Sequence, residues 1–414
     1  TCVLICMFLF TNAKIFDGVN DQLIENGFVL VEGDEIREIS GSPIKTEKAE
    51  IIDCEGHFLM PGLIDNHFHV YSVTFDMQWL DRMPKPLLHS YAIKFLNDTL
   101  QRGFTTIRDP AGGEIGLALA TQEKLINGPR FYYGGKALTQ TGGHGDMRLP
   151  HHEEPCNCAN SFTFSQIVDG ADEVRKAARK ELHRGADHIK VFISGGVASP
   201  SDPIWMPQFT DEELKAAVEE ALTRRKYVAA HCHTDDGARR CLKAGIRSIE
   251  HATNVTDETA SMIAATGETY TVPTLAVAHQ ITDYGDKTGM RPESIDKIKG
   301  MIDQMLSSIE ACRRAGVKIG MGTDLFGVEW HHLQSSEFRF RSEVDSPIDI
   351  LRSATSINAE IMQRKGELGV IAPGAKADLI VIDGDPTEDI TIFEKYQTHM
   401  PIIMKGGEFK RNNL

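Results

Sequence analysis

Histidines that follow apolar, strand-like runs are the residues of this sequence with the clearest potential for chemistry. The run GLIDNHFHV contains His67 and His69. Residues two apart share one face of an extended strand, so both imidazoles can reach the same ion. Later runs bring further polar groups to strand ends, namely Lys190, His231, His251 and Asp324. A lone histidine at such a position is more often a hydrogen-bonded structural residue, but the whole set predicts a metal centre.

Lys190 is the unusual member of this set, because a cation in an apolar strand that faces metal ions is disfavoured. Its ammonium could instead extend to water at the rim of the fold. The alternative is carbamylation by carbon dioxide, which removes the positive charge and supplies two oxygens that can bridge a pair of metals. Burial lowers the pKa of a lysine and so exposes the neutral amine that this reaction needs.

The elements that must position these groups alternate between strand and helix. Eight apolar runs, from GLIDNHF to VKIGMGTD, are separated mostly by amphipathic stretches such as DEVRKAARKELHRG and DEELKAAVEEALTRRK. Eight such units in succession predict an α/β fold, a (β/α)8 barrel of the TIM type over residues 63–365. Catalytic groups of these barrels lie at the C-terminal ends of the strands, where the candidate ligands are expected.

Both ends of the chain have a different pattern, with short strands and tight turns. The run FVLVEGDEIREIS is broken at Glu32-Gly33-Asp34, which is typical of a hairpin. ADLIVIDGDP and PIIMKGGEFKR return to strands near the other end. We therefore expect a small β-sandwich domain built from residues 1–62 plus 366–414. The apolar start TCVLICMFLF lacks a basic leader and a cleavage site, and is expected to form an edge of this domain.

Composition limits the classes of partner. The 414 residues carry a formal net charge of −15, which argues against nucleic acid or an anionic membrane as partner. No run reaches transmembrane length, so a cytoplasmic location is expected. The eight cysteines are scattered and predict no disulfide framework. Cys156 and Cys158 are interpreted as loop thiols rather than a metal or redox pair, because their spacing fits neither.

Several motifs together resemble the amidohydrolase superfamily over nearly the whole chain. The closest similarity is to its imidazolonepropionase-like branch of metal-dependent dipeptidases, which includes prolidases, Xaa-Arg/Lys dipeptidases, arginine carboxypeptidases and ochratoxinase-like enzymes. The motifs are PGLIDNHFHV, GFTTIRD, QTGGHGD, ADHIKVFISGGVAS, GMGTD and GAKADLIVIDGDP, with the strands of His231 and His251.

The resemblance implies two divalent metal ions per chain, with zinc as the default. One ion would be held by His67, His69 and Asp324, and the other by His231 and His251. A carboxylated Lys190 would bridge them. The ions would share and activate a water, and His144 of the Gly-Gly-His loop would polarise the scissile carbonyl. Asp324 would take the proton from the water and pass it to the leaving amine.

Two further residues are candidates for substrate binding. His233 shares the strand face of His231, where several prolidase relatives carry tyrosine, and it either lines the pocket or supports a ligand by hydrogen bonding. Arg148 follows the loop of His144 and suits a carboxylate, although an exposed loop arginine is the alternative. The stretch HHEEPCNC after it is interpreted as a lid or an oligomer contact whose acidic pair is a solvated charge run.

The predicted function is hydrolysis of the amide bond of dipeptides or N-acyl amino acids that carry a free C-terminal carboxylate. The enzyme is expected to be a homo-oligomer that acts on small molecules. A cyclic-amide hydrolase of the imidazolonepropionase type is the alternative among enzymes. A non-catalytic barrel scaffold is the alternative of another class, but such a protein should lack some of the ligands that are present here.

The metal centre gives the first testable prediction. Purified protein should contain about two divalent ions per chain, because the six candidate ligands suffice for a binuclear site. Elemental analysis of active protein measures this directly. Active protein that contains no metal would contradict the interpretation.

Overall fold

The computed structural model describes residues 6–149, 164–199 and 202–414. Cys156, Cys158 and the HHEEPCNC stretch lie outside the described residues, so the interpretations made for them stay predictions. Among the helices that are described, none is both long and apolar enough to cross a membrane. The expected cytoplasmic location and oligomeric state also stay predictions.

The strands and helices are numbered in chain order. The strands are β1 Met7–Ile15, β2 Ile24–Glu32, β3 Glu35–Ser40, β4 Glu50–Asp53, β5 Phe58–Pro61, β6 Leu63–Asp65, β7 Phe104–Asp109, β8 Arg130–Tyr133, β9 Ala137–Thr139, β10 Ser165–Ile167, β11 His188–Phe192, β12 Tyr227–Cys232, β13 Ser248–His251, β14 Tyr270–Val272, β15 Leu379–Ile382, β16 Ile402–Lys405 and β17 Glu408–Asn412. The α-helices are α1 Met77–Arg82, α2 Lys85–Gln101, α3 Ile115–Gln122, α4 Ala171–His183, α5 Asp211–Thr223, α6 Asp235–Ala244, α7 Asp257–Thr266, α8 Leu275–Tyr284, α9 Pro292–Ile298, α10 Met301–Ala315, α11 Ser336–Arg341, α12 Pro347–Arg352, α13 Asn358–Ile361 and α14 Tyr396–His399.

One sheet joins the two ends of the chain, as the sequence predicts. Its strand order is β17-β16-β15-β5-β1-β2-β3, and β4 pairs with β1. Glu32 pairs with Glu35 across Gly33-Asp34, which confirms the predicted hairpin. The expectation that the apolar start forms an edge is wrong. Strand β1, which includes residues 7–10 of that run, is central, because its backbone pairs with β2 on one side and with β4 and β5 on the other.

The central strands of this sheet connect the small domain to the barrel. Alternate residues of β5, β15 and β16 face opposite ways, and both faces are covered. Met60 and Ile380 pack into the cluster that includes barrel residue Phe104, whereas Leu379 and Val381 pack into the core of the small domain. Burial on both sides explains why these runs are continuously apolar. The limits 1–62 with 366–414, and 63–365, stay predictions.

The barrel is closed by parallel strands from β6 to β14 and by the segment 317–324. Strands β6-β7-β8 form one sheet and β10-β9-β11-β12-β13-β14 another. The last segment closes the ring by backbone bonds on both sides. Gly320 N donates to Thr271 O of β14 at 2.8 Å, and Asn66 N, just after β6, donates to Met321 O at 2.9 Å. The predicted (β/α)8 fold is confirmed.

Two elements differ in detail from the sequence pattern. The single run RFYYGGKAL is split into β8 and β9, with Gly134 and Gly135 between them. The long amphipathic stretch over 295–316 is two helices, α9 and α10, separated at Gly300, whose φ of 76° lies in the left-handed region. The separation matters for the site, because both helices line its cavity.

Candidate metal centre

The six predicted ligands converge at the C-terminal mouth of the barrel. Asp324 Oδ1 lies 3.2 Å from His69 Nε2 and 3.6 Å from His67 Nε2. The ring centroid of His251 lies 4.8 Å from that of His67 and 4.7 Å from that of His231. Candidate ligand atoms of His67, His251 and Asp324 lie within 4.8 Å of one another. Lys190 is buried in the same cavity wall.

The first two imidazoles each have one nitrogen held by the protein. His67 Nδ1 lies 2.7 Å from the Glu250 carboxylate, and His69 Nδ1 lies 2.9 Å from the carbonyl of Ala111. A carbonyl or carboxylate oxygen can only accept here, so Nδ1 carries the proton in both rings. Nε2 is then the ring atom nearer to Asp324 in both histidines. A metal-binding imidazole has this arrangement, with one nitrogen donating to the protein and the other facing the ion.

The second pair of imidazoles is oriented in the same way. His251 Nδ1 lies 2.8 Å from Thr274 Oγ1, and His231 Nε2 lies 3.2 Å from the carbonyl of Gly195. Since the Gly195 carbonyl can only accept, His231 donates from Nε2 and offers Nδ1 to the site. The Thr274 hydroxyl can accept from His251 Nδ1, which leaves Nε2 of His251 for the same purpose. The residues therefore fit divalent ions, because each histidine has one ring nitrogen held by the protein and a second that can face an ion.

The protonation of these rings agrees with a role as ligands. Burial lowers the pKa of His231 and His251 well below the usual value and that of His67 to about 4. These three rings are therefore neutral at neutral pH. His69 differs, because two neighbouring carboxylates outweigh its burial and raise its pKa to about 9.

Lys190 has the environment that carbamylation requires. The residue is 2% exposed, and burial lowers its pKa to about 8. A substantial neutral fraction of the amine is therefore available near neutral pH. The rim position considered from the sequence does not match this burial. The carbamate itself stays a prediction.

Two of the candidate ligands lie where the backbone takes an unusual path. His251 has a φ of 67° and Asp324 a φ of 55°, both in the left-handed region. Non-glycine residues adopt it at a cost, and they do so most often at functional sites. Asp65 holds the second of these turns. Its carboxylate accepts from Thr323 N and Oγ1 at 3.2 and 2.7 Å, and from His67 N at 3.1 Å.

A buried ion pair lies directly beneath the site, and the sequence did not reveal it. Glu250 accepts from Arg108 Nη2 at 2.7 Å while its other oxygen contacts His67 Nδ1, and both Glu250 and Arg108 are fully buried. Burial alone would raise the pKa of Glu250, but Arg108 and His67 outweigh it and hold that pKa well below its usual value. Glu250 is one residue before His251 in sequence, which was the only available signal.

His144 lies beside the metal centre and is held by a separate set of polar groups. Its ring stacks on that of His231 with centroids 4.3 Å apart. Nδ1 lies 2.7 Å from Ser199 Oγ and 3.5 Å from the Asp202 carboxylate, and the backbone N–H donates to Gln208 Oε1 at 2.9 Å. If Nδ1 accepts from the Ser199 hydroxyl, the ring proton lies on Nε2. In that form the ring can donate to a substrate oxygen.

The two candidate substrate-binding residues have different surroundings. His233 is buried in the cavity wall with its ring 4.5 Å from that of His231, and its Nδ1 lies 2.7 Å from Thr253 Oγ1. Arg148 also lines the cavity, but its Nε and Nη2 bind the Asp146 carboxylate at 2.8 and 2.7 Å. Arg148 is therefore already engaged with one carboxylate.

One cavity of about 740 Å³ lies at the barrel mouth. It is lined by the six candidate ligands and by His144, His233 and Arg148. One wall is apolar and comes from α8, α9 and α10, with the side chains of Val277, Ala278, Ile281, Ile298, Met301 and Met305. Charged residues also line the cavity, namely the cations Arg82, Lys136, Arg148 and Lys180 and the acids Asp81 and Asp146. A concave site with apolar lining and a few convergent polar groups is typical of an enzyme that binds a small molecule.

The fold and this histidine-rich mouth are typical of a metal-dependent hydrolase barrel, and comparison with known proteins agrees with that class of fold. Residues 58–408 match the Amidohydrolase family, so the chain belongs to that family. The predicted superfamily and the predicted class of enzyme, a hydrolase of C–N bonds, are thereby confirmed.

Individual relatives cover most of the chain. It is 32% identical to an ochratoxinase of Aspergillus niger over 84% of this chain and 75% of the relative. A solved prolidase structure complexed with N-methylphosphonate-L-proline is 38% identical, with a TM-score of 0.94 over 98% of this chain and 100% of the other. A solved Xaa-Pro dipeptidase with methionine in the active site is 29% identical, with a TM-score of 0.86 over 98% and 100%.

The burial of Lys190 yields a prediction about metal binding. Lys190→Ala should lose the bridging ligand, so activity and metal content should both fall, and short carboxylic acids should restore part of the activity by filling the gap. Lys226→Ala is the matched control, because Lys226 pairs with Asp187 and is half-buried outside the cavity. Metal titration with an activity assay measures both. Unchanged metal content in the Lys190 variant would contradict its role as a ligand.

The ion pair beneath the site yields another prediction. Glu250→Gln keeps the shape but leaves Arg108 buried without a counter-ion, so the free energy of unfolding should fall by about 3–5 kcal/mol. Metal affinity should fall about 10–100-fold, because His67 loses its orienting carboxylate. Chemical denaturation and chelator competition test the two effects.

The control for that experiment is Glu258→Gln, which removes an exposed ion pair with Arg239. Its effect on stability should stay below about 1 kcal/mol. A Glu250 variant that binds metal as tightly as the parent would show that this carboxylate supports the fold alone.

Proposed function

We propose that this protein is a binuclear metal-dependent amidohydrolase that cleaves dipeptides or N-acyl amino acids with a free C-terminal carboxylate. The observation that carries this proposal is the convergence of four imidazoles, each held through one ring nitrogen, on Asp324 and Lys190 at the mouth of the barrel. Similarity to a prolidase and to a Xaa-Pro dipeptidase supports the substrate class.

The chain divides the holding of two ions between two groups of residues. His67, His69 and Asp324 would hold one, His231 and His251 would hold the other, and Lys190, once carbamylated, would supply oxygen ligands to both. The nitrogen-rich ligand set favours zinc. When bound, such ions lower the pKa of water and polarise a carbonyl oxygen.

The remaining steps belong to side chains of this chain. Asp324 accepts the proton of the attacking water and returns it to the leaving nitrogen, since its carboxylate borders both the histidine cluster and the cavity. Several cationic and imidazole groups hold the pKa of Asp324 below its usual value against the effect of burial. His144 donates to the scissile carbonyl oxygen as negative charge develops there. No covalent intermediate with the protein is needed.

The lining of the cavity suits the two ends of the substrate. The apolar wall of α8–α10 accepts the acyl group or the side chain of the first residue, and its two methionines, Met301 and Met305, can adapt to several shapes. The cationic residues of the lining favour the end that carries the carboxylate. His233 and Arg148 are the groups that bind or orient it, with Arg148 acting beside its Asp146 partner.

The free carboxylate gives a prediction about specificity. Xaa-Pro and other dipeptides should be hydrolysed, and amidation of the C-terminus should lower kcat/KM about tenfold to a hundredfold, because hydrogen bonds to a charged group are worth about 1.5–3 kcal/mol. Matched pairs of free and amidated dipeptides, assayed with metal-loaded enzyme, measure the difference. His233→Leu should make that difference smaller, mainly by lowering kcat/KM for the dipeptide with the free carboxylate.

Arg148→Leu is assayed on the same substrate pairs. Comparison with His233→Leu then shows which of the two residues recognises the carboxylate. Equal kcat/KM on free and amidated substrates would refute a pocket that recognises the carboxylate. Preference for a cyclic imidazolone or hydantoin over every dipeptide would favour the cyclic-amide alternative instead.

A further inference from the structure

Lys297 makes an unusual set of contacts for a lysine. It lies in the last turn of α9, where its Nζ donates to three backbone carbonyls: Gly196 at 3.0 Å, Ser199 at 3.1 Å and Asp202 at 2.9 Å. The ammonium thus uses its full donor capacity on one short segment after β11, of which the structure describes residues 196–199 and 202. Burial lowers the pKa of Lys297, with Asp202 acting in the opposite direction.

The segment held in this way is the one that holds His144. Ser199 Oγ and the Asp202 carboxylate face His144 Nδ1. Gly196 approaches the same ring so closely that a Cβ there would lie 2.2 Å from His144 Cε1. The Asp202 carboxylate also accepts from Gly196 N at 3.0 Å, which ties the segment to itself.

The contact joins two distant parts of the barrel mouth. The segment follows β11, whereas α9 follows β14, which is three strands further round the ring. The paired residues are 95 to 101 positions apart in sequence. Within the described residues, Lys297 has no carboxylate in ion-pair contact, and the hydrogen bonds of its Nζ all go to backbone carbonyls of this segment.

From these contacts we propose that Lys297 is a positioning residue for His144. It fixes the backbone that carries Ser199 and Asp202, and these two side chains set the orientation and tautomer of the imidazole. Lys297 itself touches neither substrate nor the predicted metal ligands. The proposal rests on the function proposed above only for its kinetic consequence, because the effect on the His144 ring is a property of the resting protein.

The test compares Lys297→Met with the parent enzyme. Metal content and KM should stay the same while kcat falls about tenfold to a hundredfold, the usual loss when an orienting partner is removed. Lys297→Arg should recover part of kcat, because a guanidinium can donate to the same carbonyls. Lys299→Met is the matched control: its ammonium is exposed on the same turn and pairs with Asp296, so kcat should not change.

A double-mutant cycle identifies the route of the effect. His144→Ala alone should lower kcat about 10²–10³-fold. If Lys297 acts through His144, adding Lys297→Met to that variant should cost less than about a further twofold. The proposal would be overturned if Lys297→Met lowered kcat by the same factor in the His144→Ala variant as in the parent, or if metal content fell. The lysine would then act through the metal ligands or through general stability.

Nuclear magnetic resonance of ¹⁵N-histidine-labelled protein supplies a readout that needs no substrate. Lys297→Met should shift the ring signals of His144, and Lys297→Arg should shift them less. If the parent protein hydrolyses none of the dipeptides but the ring signals shift, the proposed function fails and the positioning role stands. Unchanged ring signals together with unchanged kcat in folded Lys297→Met would overturn the positioning role.

Discussion

The structure depends most on how buried charge is balanced inside the barrel. Glu250 is fully buried between Arg108 and His67, so one carboxylate satisfies a guanidinium of the barrel interior and a candidate metal ligand at its mouth. Neither Glu250 nor Arg108 could be buried without the other except at a large cost in free energy. The same contact fixes the His67 tautomer, and therefore the interaction that allows Arg108 in the core also prepares an imidazole for metal binding.

The polar groups around the barrel mouth are also held by hydrogen bonds to neighbouring residues. Each of the four candidate histidine ligands has one ring nitrogen in contact with a carboxylate, carbonyl or hydroxyl oxygen, which leaves the other for the site. The backbone contributes as well, since His251 and Asp324 both adopt left-handed conformations at the ends of their segments. Such conformations persist only where surrounding contacts enforce them, as the Asp65 carboxylate does for Thr323 next to Asp324.

Two independent supports therefore meet at one cavity. The rings of the candidate metal ligands are held by Glu250 of the barrel interior and by residues that follow the strands. His144 contacts Ser199 and Asp202, whose backbone carbonyls accept hydrogen bonds from Lys297 of α9. Ile298, the residue after Lys297, contributes to the apolar wall of the cavity. Helix α9 therefore contacts both the cavity and the residues that hold His144.

The sequence by itself determined the strand–helix alternation, the sheet shared by both chain ends and the candidate ligands, because periodicity and the spacing of His67 and His69 are local properties. The sequence misassigned β1 as an edge, since a run of apolar residues does not determine which strands pair with it. Only the tertiary structure revealed the pairing of Glu250 with Arg108, 142 positions away, and that of Lys297 with the segment after β11. Such contacts depend on which loops meet at the barrel mouth, and that is decided by closure of the whole ring.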